Sequence, residues 1–124
     1  MNLRAIEIPA ETTQIGIGAF KNCHGVKQLT LHEGLIEIGD YAFQMALDID
    51  QLLLPESLKH VGHYGFSGAG IRHLTIPENI EYIGDYAFTV HMLPIDMPET
   101  LDRLEYMGNF AFSGTKLVSI GLGN

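Results

Sequence analysis

The side chains of this sequence that could do nucleophilic or metal chemistry are a cysteine and several histidines. Cys23 is followed directly by His24, the residue types of a thiol nucleophile and its base, but neighbours on a turn rarely face each other. We therefore interpret Cys23 as a small buried core residue. His60 and His63 could supply half of a metal site. On an extended segment, however, residues three apart point to opposite faces, so one metal ion could not readily bind both.

A glycine pair and the lack of a triad bear on nucleotide binding and catalysis. Gly16-x-Gly18 resembles the start of a dinucleotide-binding loop, but Lys21 stands where the third glycine would be. No Ser-His-Asp set recurs at matched positions along the chain. We predict no catalytic residue, no cofactor and no metal ligand, and hence a protein that is not an enzyme.

The composition narrows the classes of partner. The 124 residues include 15 acidic and 7 basic side chains, for a formal net charge of −8, which argues against binding to nucleic acid. No apolar run approaches the roughly 20 residues of a membrane span, so membrane insertion is not expected. The single cysteine excludes an intrachain disulfide framework. Because repeat sequence begins at the N-terminus without an apolar signal stretch, we expect a cytoplasmic or virion-associated protein, unless the chain is a fragment of a secreted surface protein.

A fixed repeat must position all of these side chains. Successive gaps of 23, 23, 22 and 24 residues separate five phenylalanines, each of which ends a variant of the phrase Ile38-Gly-Asp-Tyr-Ala-Phe43: Phe20, Phe43, Phe66, Phe88 and Phe112. A period in the twenties predicts a solenoid in which each repeat forms one coil stacked on the next.

Each coil carries two short apolar phrases that predict strands. The first, exemplified by Ile49-x-x-Leu52-x-Leu54, ends in an i, i+2 pair on one strand face and is followed in four coils by proline. The second, exemplified by Leu58-x-x-Val61-Gly62, ends at a glycine that we expect to need a backbone shape forbidden to a Cβ. We predict a β-rich solenoid of five to six coils of about 23 residues, with two parallel ladders and an internal Phe stack. The single domain spans residues 1–124, with coils starting near residues 3, 26, 49, 71 and 92 and a terminal strand at 117–122.

These phrases resemble the BspA-type leucine-rich repeat over essentially all 124 residues. Ile38-Gly-Asp-Tyr-Ala-Phe43 and Ile83-Gly-Asp-Tyr-Ala-Phe88 fit its consensus closely, and Phe20-Lys-Asn-Cys23 keeps the consensus cysteine. The resemblance implies a fold of the α/β class and non-enzymatic binding, since similar arrays occur in bacterial surface and adhesion proteins, in protists and in some phage proteins.

Stacked coils turn the sequence period into columns of surface residues. The exposed face of the main strands is predicted to be short-chained and nearly uncharged, as suits protein recognition, and supplies the candidate partner-binding residues Gln28, Thr30, Gln51, Leu53, His73, Thr75 and Asp96. A candidate acidic column, able to dock a basic partner or a divalent cation or simply to solvate a turn, consists of Glu33, Glu56, Glu78 and Glu99.

Two further columns predict electrostatic pairing between coils. Asp50 is expected to lie between the cations Lys27 and Arg72. His63 is expected to lie between Asp40 and Asp85, where two carboxylates would favour an imidazolium.

The favoured function is a protein-binding or assembly module that uses its strand face or its coil ends. One alternative is a structural or decoration component of a larger particle such as a phage virion, and a second is a fragment of a bacterial surface adhesin. Terminal coils without a polar cap predict end-to-end self-association or a capping protein, with Leu117, Ile120 and Leu122 as the candidate end contact.

Overall fold

The computed structural model describes residues 4–89 and 101–112, together with the backbone of two later strands, Pro94–Asp96 and Lys116–Leu117. These described parts contain short strands and no helix, and therefore no helix that could cross a membrane. The strands of the main ladder are β1 (Ala5–Glu7), β3 (Gln28–Thr30), β6 (Leu52–Leu53), β9 (Leu74–Thr75), β11 (Pro94–Asp96) and β13 (Lys116–Leu117). Those of the second ladder are β2 (Gln14–Ile15), β4 (Glu37–Ile38), β7 (His60–Val61), β10 (Tyr82–Ile83) and β12 (Tyr106–Met107).

The second ladder is continuous and parallel through all five of its strands, in the order β2-β4-β7-β10-β12. Its register places the equivalent repeat positions directly side by side: Gln14, Glu37, His60, Tyr82 and Tyr106. The predicted solenoid is thus confirmed, and its columns follow from the sequence period.

The main ladder is broken between its second and third strands. β1 pairs with β3, and β6 continues through β9 and β11 to β13, but β3 and β6 do not pair. At the entry to this coil Val26 bridges to Leu47, 21 residues on, whereas Ile6 pairs with Leu29, 23 residues on. The strands that follow are consequently out of step. A separate pair, β5 (Asp48–Ile49) with β8 (Gly70–Ile71), forms beyond the break.

The core of the coils is the predicted Phe stack, surrounded by rows of Leu, Ile and Val. Ring centroids of successive phenylalanines lie 5.1–5.4 Å apart and the rings are nearly parallel. Phe43, Phe66 and Phe88 are fully buried, whereas Phe20 and Phe112 are only half-buried. The stack was expected to be buried throughout, but each end ring has a Phe neighbour on one side alone.

The repeat glycine serves a different purpose from the one predicted. Gly39, Gly62, Gly84 and Gly108 do not have positive φ. A Cβ built on Gly84 would instead lie 2.5 Å from the backbone nitrogen of His63 in the preceding coil. Glycine is therefore required because adjacent coils approach too closely for any side chain.

Candidate functional site

The polar and aromatic side chains of the molecule concentrate where the second ladder ends and the chain turns towards each Phe. Three columns meet there, and together they are called the ring face. The strand column comprises Gln14, Glu37, His60, Tyr82 and Tyr106; the acceptor column comprises Ile17, Asp40, His63, Asp85 and Asn109; the left-handed column comprises Gly18, Tyr41, Tyr64, Tyr86 and Phe110.

Every residue of the left-handed column has positive φ. The angles are 62°, 58°, 57° and 55° at Tyr41, Tyr64, Tyr86 and Phe110, and the first coil has Gly18 at 65°. Such a conformation costs an L-residue on the order of 1 kcal/mol. The turn maintains it because each of these N–H groups donates to a carbonyl of the next coil, for example Tyr41 to His63 at 2.9 Å.

The rings of this column stack face to face. Centroids of Tyr41, Tyr64, Tyr86 and Phe110 follow one another at 5.1, 5.0 and 5.3 Å. At the N-terminal end of the stack, where Gly18 supplies no ring, the ammonium of Lys21 lies over the Tyr41 ring at 5.1 Å. Tyr41 and Phe110 are exposed, so a rigid aromatic row borders solvent.

The acceptor column links each coil to the next through side chains. Asp40 Oδ1 accepts the N–H of His63 at 2.8 Å, His63 Nδ1 accepts the N–H of Asp85 at 2.8 Å, and Asp85 Oδ1 accepts the N–H of Asn109 at 2.9 Å. His63 does lie in line with both carboxylates, as predicted. The expected imidazolium does not fit, because the bond from Asp85 N–H uses the lone pair of a neutral ring.

The strand column carries a second row of rings, which is tied to the acceptor column. His60 stacks on Tyr82 at 4.2 Å, and Tyr82 on Tyr106 at 4.7 Å. Tyr106 Oη donates to Asp85 Oδ1 at 2.9 Å, and Tyr82 Oη lies 3.3 Å from His63 Nε2. The hydrogen bond from Tyr106, followed by that from Asn109, lowers the pKa of the Asp85 carboxyl, and the same carboxylate raises the pKa of Tyr106.

This arrangement predicts a measurable pH dependence of stability. Because the pKa of Asp85 is lowered in the folded state, its contribution is present above the unfolded value of 3.8 and is lost as pH falls through the folded value. We expect Asp85→Asn to be less stable than the parent near neutral pH and to lose less stability on acidification. Asn109 shows that an amide is accommodated in this column. Urea unfolding between about pH 3 and pH 6 measures the difference.

A matched control for that experiment is Glu7→Gln, at an exposed position of β1. This variant should keep the acid-dependent loss of the parent. An Asp85→Asn curve parallel to those of the parent and of Glu7→Gln would contradict the argument.

The residues predicted on the main-strand face divide into two groups. Thr30, Gln51 and Leu53 come together along a shallow groove of about 260 Å³ at the break between β3 and β6, and Leu53 is 59% exposed. Gln28 is exposed, and His73 and Thr75 are half-buried on the neighbouring strands. For Asp96 the structure describes only the backbone of β11.

The predicted acidic column is in part a structural feature. Glu33 accepts the backbone N–H groups of Glu56 and Ser57 at 3.0 and 3.1 Å, so its carboxylate holds the turn of the next coil. Glu56 and Glu78 are exposed, and Glu99 lies outside the described residues. Among the side chains the structure describes, no group of three or more His, Cys, Asp or Glu could hold a metal ion.

The predicted ion pairs involve a different carboxylate. Asp48, not Asp50, lies between Lys27 and Arg72 and bonds to both, while Asp50 approaches only Arg72, at 3.4 Å from Nε. The alternation of side chains explains the change, since β5 places Asp48 beside the preceding coil. Of the candidate end contact, Leu117 is described only as backbone of β13, and Ile120 and Leu122 lie outside the described residues.

The histidine and cysteine predictions have opposite outcomes. Cys23 is buried, as interpreted from its residue type. The expectation that His60 and His63 point to opposite faces is wrong, because both line one groove of about 270 Å³ on the ring face. The chain leaves β7 at Gly62 and enters the turn, so the alternation of an extended strand does not reach His63.

Parallel ladders, an internal Phe stack and a period of about 23 residues define a leucine-rich repeat solenoid. The BspA-type leucine-rich repeat region matches residues 1–117 in six copies, and the chain belongs to that family. A search of curated proteins found no match.

A solved structure of a leucine-rich repeat protein from Bacteroides ovatus is similar to this chain, with a TM-score of 0.72 and 30% sequence identity. The similarity covers 89% of this chain and 28% of that protein, so this chain spans less than a third of its length. These similarities establish a repeat module, and the virion and adhesin alternatives stay predictions.

The ring face is the functional feature that sequence reasoning missed. A signal was present, because Tyr41, Tyr64, Tyr86 and Phe110 each stand two residues before a core Phe. Their aromatic character was attributed to the repeat phrase as a whole. The period alone does not show that this position faces solvent.

Proposed function

We propose that this leucine-rich repeat module is non-enzymatic and binds a protein partner through its ring face. The observation that carries the proposal is the row of stacked rings from Tyr41 to Phe110, fixed by backbone conformation and bordered by solvent. Tyrosine and other aromatic residues are enriched at protein interfaces and among the residues that dominate binding energy.

Rigidity is what distinguishes this surface from other exposed parts of the chain. A free tyrosine side chain loses rotamer freedom when a partner covers it, and association is weaker for that reason. Here the rings of Tyr64 and Tyr86 are already held between neighbours at 5.0–5.3 Å. Their ordering cost is met during folding, so burying their edges and hydroxyl groups on binding yields a larger net gain.

The polar groups around the rings support a binding role over a catalytic one. His63 and Asp85 each accept the backbone N–H of the following coil, and Asp85 also accepts a hydrogen bond from Tyr106. Groups engaged in this way hold coils in register and orient the rings. Proton transfer by either would require breaking a bond between coils.

The experiment compares two surface variants in partner capture from an extract of the source organism. In the first, Tyr64→Asn and Tyr86→Asn remove two central rings, and asparagine tolerates positive φ, as Asn22 does at 61° in this chain. We expect at least a tenfold weaker affinity for a partner captured by the parent, since central interface aromatics contribute about 2 kcal/mol or more. Calorimetric titration of the identified partner measures the change.

The matched control removes exposed side chains from the other face, with Gln51→Ala and Leu53→Ser. This variant should bind like the parent. The reverse pattern, with binding lost in the control and kept in the ring-face variant, would transfer the function to the main-strand face. Thermal melts of both variants establish that the solenoid is folded.

A further inference from the structure

The ring face contains a groove whose polar lining is chemically incomplete. Glu37, Asp40, His60, His63 and Tyr82 line it, within a volume of about 270 Å³. Glu37 and Asp40 have no Lys or Arg partner among the side chains that the structure describes. The groove thus has two carboxylates and two aromatic walls but no cation.

Comparison of equivalent coils shows what Asp40 lacks. Asp85, at the same repeat position, receives two donors, the N–H of Asn109 and the hydroxyl of Tyr106, both at 2.9 Å. Asp40 receives the N–H of His63 at 2.8 Å, but the structure shows no bond to it from His60, which replaces the tyrosine. Asp40 is therefore one hydrogen-bond donor short of its counterpart.

The ring stack beside Asp40 also ends in this groove. His60 lies parallel to Tyr82, with an interplanar angle of 3°, and the next residue of the strand column is Glu37, which has no ring. One face of the imidazole therefore points along the solenoid axis towards Glu37. The other aromatic column ends in the same way at Tyr41, and there the chain itself places a cation, Lys21, over the ring.

We propose that this groove binds an arginine side chain of the protein partner. The planar guanidinium donates to Asp40 and Glu37 and stacks on the exposed face of His60, while the aliphatic stem packs on Ile17, which lines the groove and is 78% exposed. Arginine fits better than lysine because it offers several donors in one plane and a flat face for the ring. This inference rests on the proposed function and names the chemistry of its partner.

The test uses a blocked arginine amide as the probe and a blocked citrulline amide, which has the same shape without the charge, as its control. NMR titration of the full chain should show saturable shifts at His60, His63 and Tyr82 with arginine, at a dissociation constant on the order of millimolar for one side chain. Citrulline should bind about tenfold more weakly or not detectably.

Two substitutions with counterparts elsewhere in the chain remove the charges. Glu37→Gln reproduces Gln14 of the preceding coil, and Asp40→Asn reproduces Asn109 of the acceptor column. The double variant should weaken arginine binding at least tenfold, whereas Glu56→Gln with Glu78→Gln should leave it unchanged. Equal loss in both pairs, equal binding of citrulline, or shifts spread over the whole acidic surface would overturn the proposal.

The same variants separate this inference from the proposed function. If a captured partner binds the Glu37→Gln, Asp40→Asn protein normally but fails to bind the Tyr64→Asn, Tyr86→Asn protein, the arginine groove is wrong and the ring face stands. If the partner is indifferent to the tyrosine variant, the proposed function fails, whatever the arginine titration shows.

Discussion

Phe66→Ala lowers the free energy of unfolding by about 3–5 kcal/mol, because it removes the middle of the aromatic core. The Phe66 ring is fully buried and lies 5.1 Å from Phe43 and 5.4 Å from Phe88. Truncation loses the transfer free energy of the ring and leaves a cavity between two coils. The ladders above and below hold the coil spacing, so the cavity cannot collapse fully. Urea unfolding monitored by circular dichroism measures the loss.

Phe112→Ala is the matched variant at the end of the same stack. Its ring is half-buried and has one stacked Phe neighbour, Phe88 at 5.4 Å. The expected cost is roughly half that of Phe66→Ala, since less surface returns to water and the site has room to relax. Equal costs at the two positions would contradict a solenoid stabilised by contacts between neighbouring coils.

The features predicted correctly are those that depend on period and polarity alone. The spacing of Phe43, Phe66 and Phe88 determines which residues superimpose, so the Phe stack and the columns followed directly from the sequence. The i, i+2 pairs such as Leu52 and Leu54 also predict a buried strand face, and both residues are buried.

The features missed depend on how far apart neighbouring backbones lie. The sequence shows a glycine after Ile38, Val61 and Ile83, but a turn with positive φ and a close approach between coils predict the same residue. The structure distinguishes them, because positive φ occurs two residues later, at Tyr41, Tyr64 and Tyr86. A tyrosine in that conformation carries no signal of strain in the sequence, since the hydrogen bonds that stabilise it come from the next coil.

The break in the main ladder and the arginine groove are local departures from the repeat, and a repeat-based reading averages over them. A 21-residue bridge at Val26 and Leu47 separates β3 from β6 although the apolar phrases of both coils are normal. His60 in place of tyrosine leaves Asp40 short of a donor, a consequence that appears only when coils are compared atom by atom. Sequence predicts the scaffold of such a protein, and its individual sites come from the exceptions.

The second large effect is expected at a repeat glycine. Gly84→Ala places a Cβ 2.5 Å from His63 N, 2.6 Å from Gly62 C and 2.8 Å from His63 Cα, all of them backbone atoms that cannot rotate away. Two coils must then separate, which weakens the bond from Gly84 N–H to Val61 O at 2.8 Å and the neighbouring bond from Asp85 N–H to His63 Nδ1. We expect a cost of about 3 kcal/mol, the upper part of the usual range for overpacking.

Gly16→Ala separates close approach from any general need for glycine in the repeat phrase. Gly16 occupies the same position in the first coil, has no positive φ, and a Cβ there would meet nothing within 4 Å because no coil lies beneath it. Alanine should be neutral or stabilise by up to about 1 kcal/mol, since it reduces the conformational freedom of the unfolded chain. If glycine were needed for its backbone shape, both variants would be destabilised alike. Chemical unfolding of the pair therefore decides between the two explanations, and a stable Gly84→Ala protein would refute the close contact between coils.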